Sequence, residues 1–93
     1  MNTPQILSEL RMYAGLDSES RLRAYLALSE TPGISFNDLA RKIRLEKGLL
    51  AYHLGVLKAA GLVEMKYERM SKKTSRYYPT EEGKKILRRL VSK

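Results

Sequence analysis

Apolar residues recur along this chain with two different periods, and the change between them falls at Gly61. Before it they stand three and four residues apart, as on the buried face of a helix. Ile6, Leu7, Leu10 and Tyr13 share one face of a first helix, started by Thr3-Pro4 and ended by Gly15. Asp17 or Ser18 is placed to cap a second helix, in which Leu22, Tyr25, Leu26 and Ser29 recur, and Thr31-Pro32-Gly33 stops it. Ile34-Ser35-Phe36 reads as a short extended piece. Ser35 followed by Asp38 resembles a capping box and opens a third helix carrying Leu39, Ala40 and Ile43. The phase breaks at Arg44-Leu45-Glu46, after which Leu50, Leu54 and Leu57 mark the inner face of a fourth helix.

After Gly61, Val63, Met65 and Tyr67 alternate with Glu64, Lys66 and Glu68, the period of a half-buried strand. A β-hairpin is expected, with a polar, basic tip over Met70 to Ser75 and a return strand over Arg76 to Pro79, where Pro suits a strand end or edge. Thr80 is placed to cap a last helix with Ile86, Leu87, Leu90 and Val91 as its apolar stripe. The order is helix, helix, extended piece, helix, turn, helix, hairpin, helix. The fold class is mainly α with a small β-hairpin, and its middle is a helix-turn-helix followed by a hairpin wing.

Particular residues strengthen that reading. Leu45 to Val63, LEKGLLAYHLGVLKAAGLV, resembles the recognition-helix signature of ArsR-like winged-helix regulators. Arg21-Leu22-Arg23 after Asp17-Ser18 resembles their helix opening. Tyr77-Tyr78-Pro79-Thr80-Glu81-Glu82-Gly83 is similar to the wing exit, with Pro79 where Leu is usual. The resemblance covers about residues 17 to 84 and implies a winged helix-turn-helix fold and a transcriptional regulator. Length and element order make one domain over 1–93, with an N-terminal helix (1–16), a winged-helix core (17–80) and a C-terminal helix (81–93).

Charge agrees with a polyanionic partner. Ninety-three residues contain 18 Lys and Arg against 10 Asp and Glu, a formal charge of +8. At 43% hydrophobic and 30% charged, the chain has the apolar material for a core. With no Cys and a single His, neither a disulfide nor a metal cluster is expected, and no cofactor is called for. No GxSxG, phosphate-binding Gly loop or carboxylate cluster points to an enzyme. No apolar run reaches the ~20 residues of a membrane span, and the N-terminus does not read as a signal peptide. The expectation is a soluble, cytoplasmic protein without membrane contact.

The candidate partner is double-stranded DNA. A helix with an exposed N-terminus fits the major groove, and a basic hairpin reaches the backbone or the adjacent groove. Lys47 and Lys58 lie on the recognition helix, Arg41, Lys42 and Arg44 lead into it, and Arg69, Lys72, Lys73 and Arg76 belong to the wing. These cations would neutralise phosphates and supply affinity without sequence information. With Leu50, Leu54 and Leu57 inward, Gly48, Ala51, Tyr52, Gly55 and Ala59 face outward. Tyr52 is the one large base reader there, with Leu49 and Ala51 able to touch thymine methyls; the alternative for Tyr52 is packing along a neighbouring helix. Gly48 and Gly55 either admit another surface closely or are tolerated. Few side chains on this face read bases, which shifts specificity toward the wing or DNA shape. His53, between the inward and lateral faces, reads as a hydrogen-bonded residue at the core edge.

Two apolar stripes remain, Ile6, Leu7, Leu10 and Tyr13 on the first helix and Ile86, Leu87, Leu90 and Val91 on the last. A small core need not absorb both, and the resemblance implies that they pair two copies into a two-fold homodimer. No feature of the sequence identifies a small-molecule effector. The competing reading is a winged-helix protein–protein interaction module of a transcription or replication assembly, which the Gly-Ala face of the fourth helix keeps open.

Overall fold

The computed structural model describes residues 2–68 and 70–92, with Ser71, Lys72 and Lys73 described by their backbone alone. Within these residues the elements run α1 (Thr3–Gly15), α2 (Glu19–Glu30), β1 (Ile34–Ser35), α3 (Phe36–Ile43), α4 (Lys47–Ala59), β2 (Val63–Glu68), β3 (Ser71–Pro79) and α5 (Glu81–Val91). Phe36 thus opens α3 and does not extend β1.

Caps set most of the boundaries. Ser18, Ser35 and Thr80 each accept a hydrogen bond from a backbone N–H three residues on, as their positions ahead of apolar periods require. At α1 the cap is Asn2 and not Thr3. Its side chain accepts from the Gln5 N–H at 3.0 Å while the Gln5 side chain accepts from the Asn2 N–H at 3.0 Å, so two orphan donors are satisfied reciprocally. Gly61 takes φ +80° just past α4, a left-handed conformation that costs glycine little and turns the chain into β2.

The core gathers on the inner face of α4. Leu50, Leu54 and Leu57 are buried there, against a cluster that includes Tyr25, Leu28, Leu39, Leu62 and Ile86. Each such side chain contributes ~1.5–3 kcal/mol by leaving water. On α2 the buried residues are Ala24, Tyr25, Ala27 and Leu28, whereas Leu26, expected inside, is exposed. At about 100° per residue, a face centred on Ala24, Tyr25, Ala27 and Leu28 leaves Leu26 on the opposite side of the helix. Ile86 is 2% exposed and belongs to this core, so it leaves the set of interface residues expected on α5.

The hairpin is part of a three-stranded antiparallel sheet in the order β1-β3-β2. The central strand is β3, which pairs Tyr77 with Ile34 and Met65, and Arg76 with Ser35 and Lys66. It begins at Ser71, so the basic stretch expected as a loop tip lies in a strand, with the register shifting beyond the Tyr67–Ser75 pair. Pro79 pairs with Val63 at the strand end. Val63 is buried, Met65 half-buried and Tyr67 exposed, so the alternation opens to solvent away from the body. Thr80 joins the wing exit to the end of α4, its hydroxyl donating to the Gly61 carbonyl at 2.6 Å. Close beside it, a Cβ on Gly83 would lie 2.8 Å from the Leu62 carbonyl, so glycine is what lets α5 seat there.

Candidate nucleic-acid interface

Burial of three leucines on one side of α4 exposes the other. Lys47, Gly48, Leu49, Ala51, Tyr52, Gly55, Lys58 and Ala59 are all exposed, Tyr52 at 60%. The N-terminus of α4 is covered by its own cap. The Glu46 carboxylate accepts from the N–H groups of Gly48 (2.8 Å) and Leu49 (2.9 Å), and those bonds hold its carboxyl below the usual 4.5. A Cβ on Gly48 would lie 3.1 Å from the carboxylate, a tight contact that the exposed Glu46 side chain could relieve by a small shift. Glu46 is not among the interface positions derived from the sequence, and because Glu is not one of the usual N-cap residues no local signal marks it as a cap.

The approach to α4 is basic and locally paired. Arg41 pairs with Asp38, and Lys42 lies 3.7 Å from Glu30 and donates to the Thr31 hydroxyl at 3.3 Å. Arg44, exposed, takes a left-handed conformation (φ 54°) in the turn between α3 and α4. That turn is held from below by Arg23, whose guanidinium donates to the Ile43 carbonyl at 2.8 Å. A cleft of about 320 Å³ lined by Ser35, Asn37, Asp38, Arg41, Thr74 and Ser75 brings the start of α3 against the wing strand.

Among the wing positions, Arg69 lies outside the described residues, as do the side chains of Lys72 and Lys73. Arg76, half-exposed, is engaged by the chain itself, donating to Glu68 (2.8 Å) and to the Gly33 carbonyl (2.9 Å). Lys66 lies over the Tyr78 ring, 5.1 Å from its centroid.

Behind the outward face, Arg21 of α2 ties three elements together. Its Nε donates to His53 Nδ1 and its Nη1 to the Gly15 carbonyl, each at 3.3 Å, and its guanidinium lies 5.9 Å from the Tyr52 ring centroid. Tyr52 is thus open on one side and backed by a cation on the other. His53 is a hydrogen-bonded residue at the core edge, as its position on the helix implies. Burial, and then the Arg21 charge, hold its imidazole below the ordinary 6.5. The unfolded chain takes up a proton near pH 6.5 while the folded one does not. The stabilisation is therefore complete above about 6.5 and is lost as pH falls through the folded value. Thermal melts between pH 7.5 and 5.5 should show the wild type losing stability that His53→Gln keeps; parallel pH profiles would contradict this.

A second surface lies on α1 and α5. Ile6, Leu7, Leu10, Leu90 and Val91 are exposed, with Tyr13 and Leu87 half-buried beside them, and Arg89 pairs with Glu9 across the two helices. No helix among the described residues is long and apolar enough to cross a membrane.

The sequence profile of a winged helix-turn-helix DNA-binding family matches residues 17–64. No curated protein sequence matches the chain. Among solved structures, an ArsR-like transcriptional regulator from Rhodococcus sp. RHA1 aligns with a TM-score of 0.78 at 25% identity, over 95% of this chain and 80% of that one. Reduced HlyU from Vibrio cholerae N16961 gives 0.74 at 23% identity, over 97% and 95%. FabT from Streptococcus pneumoniae, solved in complex with DNA, gives 0.66 at 14% identity over 77% of this chain, which spans about half (49%) of that protein's length.

Proposed function

Since this chain belongs to the winged helix-turn-helix DNA-binding family, we propose that it acts as a homodimeric, sequence-selective regulator of transcription, seating α4 in the major groove and its basic wing on the backbone or adjacent groove. The observation that carries this is the two-sided character of α4. One side is locked into the core by Leu50, Leu54 and Leu57, and the other presents Lys47, Leu49, Tyr52 and Lys58 to a groove. The DNA complex of FabT supports the same reading for this fold.

The role is one of binding, without a catalytic step, in the cytoplasm where a regulator meets its operator. Arg41, Lys42 and Arg44 supply phosphate contacts near the start of α4, with Asp38 and Glu30 as the carboxylates a phosphate displaces. Tyr52 supplies the base-sensitive contact, and the small residues Ala51, Gly55 and Ala59 let the helix lie close to the groove floor. Specificity beyond Tyr52 comes from the wing and from DNA shape.

Lys72→Ala with Lys73→Ala tests the wing. Binding to all duplexes should weaken about equally, and the log–log salt slope should fall in magnitude by about 0.9 for each phosphate that is no longer neutralised. An unchanged affinity and slope in a polarisation titration would remove the wing from the DNA surface.

A further inference from the structure

Arg76 stands in the middle of the central strand, opposite Lys66 on one side and Ser35 on the other. Its Nη1 donates to the Gly33 carbonyl at 2.9 Å and its Nη2 to Glu68 Oε1 at 2.8 Å. Those two acceptors belong to different parts of the molecule. Gly33 ends the turn that leads through β1 into α3, with φ +88°, and its N–H donates to the Tyr77 carbonyl at 2.8 Å. A Cβ there would press on the Tyr78 ring at 3.3 Å, so the turn is fitted closely to β3. Glu68 ends β2 in the outer half of the wing, at the register shift.

One guanidinium therefore spans from the turn before α3 to the outer wing. The backbone joins this turn to β3 through the Gly33–Tyr77 hydrogen bond and the two paired residues of β1, and the Arg76 side chain adds a tie that continues to Glu68. A planar fork suits the task, since it reaches two acceptors in fixed directions where an ammonium offers a point charge. The Glu68 hydrogen bond and charge raise the guanidinium above its ordinary value, and the pair is neutral as a unit.

We infer that Arg76 is a positioning residue for DNA binding: it does not take a phosphate but holds the wing at a set angle to α3 and α4, so that the cationic positions 66, 72 and 73 meet the backbone in phase with the recognition helix. This rests on the DNA-binding reading and replaces the phosphate contact expected of Arg76 from its sequence.

Two substitutions separate the roles because they alter charge differently. Arg76→Lys keeps the charge and loses the fork; Glu68→Ala removes a negative charge and the anchor's outer acceptor. A positioning role predicts that both weaken duplex binding, by about fivefold, the scale on which half-exposed ion pairs act. Both should also speed exchange of the Gly33 amide in the free protein, with thermal midpoints close to wild type. A phosphate contact predicts the reverse pattern: Arg76→Lys binds as wild type, and Glu68→Ala binds more tightly because a repulsive carboxylate is gone. That pattern overturns the proposal. If the wild type binds no duplex at low salt, the DNA reading fails by itself, and the exchange rates still decide the anchor: faster at Gly33 in both variants upholds it, unchanged removes it.

Discussion

Leu10→Glu combined with Leu90→Glu should turn a dimer into monomers of about 10.7 kDa that stay folded and bind DNA much more weakly. Leu10 is 58% exposed and Leu90 51%, so a glutamate at either place costs an isolated chain little. In a two-fold interface the same carboxylates would be buried without partners, which is costly. The face is built from both helices, with Ile6 and Leu7 on α1 and Val91 on α5 completing it and the Arg89–Glu9 pair holding the helices together. Pairing two copies in this way would place two recognition helices on successive major grooves, with half-sites about 34–36 Å apart. Losing one half-site should cost a hundredfold or more, on the order of the ~10²–10⁴ gained when linked sites bind together. Sedimentation of both proteins at micromolar concentration checks it, and equal masses for wild type and variant would sink the paired-helix interface.

Neighbouring residues of α4 should respond in opposite directions. Leu54 is 1% exposed, and Leu54→Ala should cost about 2–5 kcal/mol through reduced burial and the cavity left behind. That is a large part of the ~5–15 kcal/mol a small domain has in all. Next to it, Gly55 has nothing within 4 Å of where a Cβ would sit. Gly55→Ala should stabilise by about 1 kcal/mol, the helix-propensity difference, and raise the melting temperature by about 4–8 °C. Thermal or urea unfolding of the two variants measures the orientation of the recognition helix. A destabilising Gly55→Ala would mean that its outward side is packed. If Gly55→Ala melts higher yet binds DNA more weakly, the added methyl marks the closest approach of helix and groove.

What the sequence discloses here is what local chemistry decides. The inner face of α4, the stop at Gly61, the strand onset at Val63 and the caps at Ser35 and Thr80 each depend on a few consecutive residues and are legible, and the cap of α2 is legible to within Asp17 or Ser18. Leu26 is not, because which side of α2 turns inward depends on how closely neighbours approach Ala24 and Ala27. Nor is the start of β3 at Ser71: a polar, basic run looks alike in a loop and in an exposed strand. Two residues, Ile34 and Ser35, carry no period that would disclose pairing with β3. Ile86 shares a stripe with Leu90 and Val91, and only the packing of α5 divides that stripe between core and surface. At the interface the cations are legible as a charge pattern, but their partners are not. Arg76 meets Gly33, 43 residues away, and Arg21 meets His53, 32 residues away, pairings that exist only once the chain has folded.

Titration of a fluorescent duplex with the wild-type protein at ~50 and ~200 mM salt tests DNA binding most directly. Two recognition helices and two wings that together neutralise about six or more phosphates should bind at the lower salt and lose roughly a thousandfold or more in affinity at the higher. Absence of binding at ~50 mM salt, or an affinity that does not change with salt, would contradict a DNA-binding role for this chain.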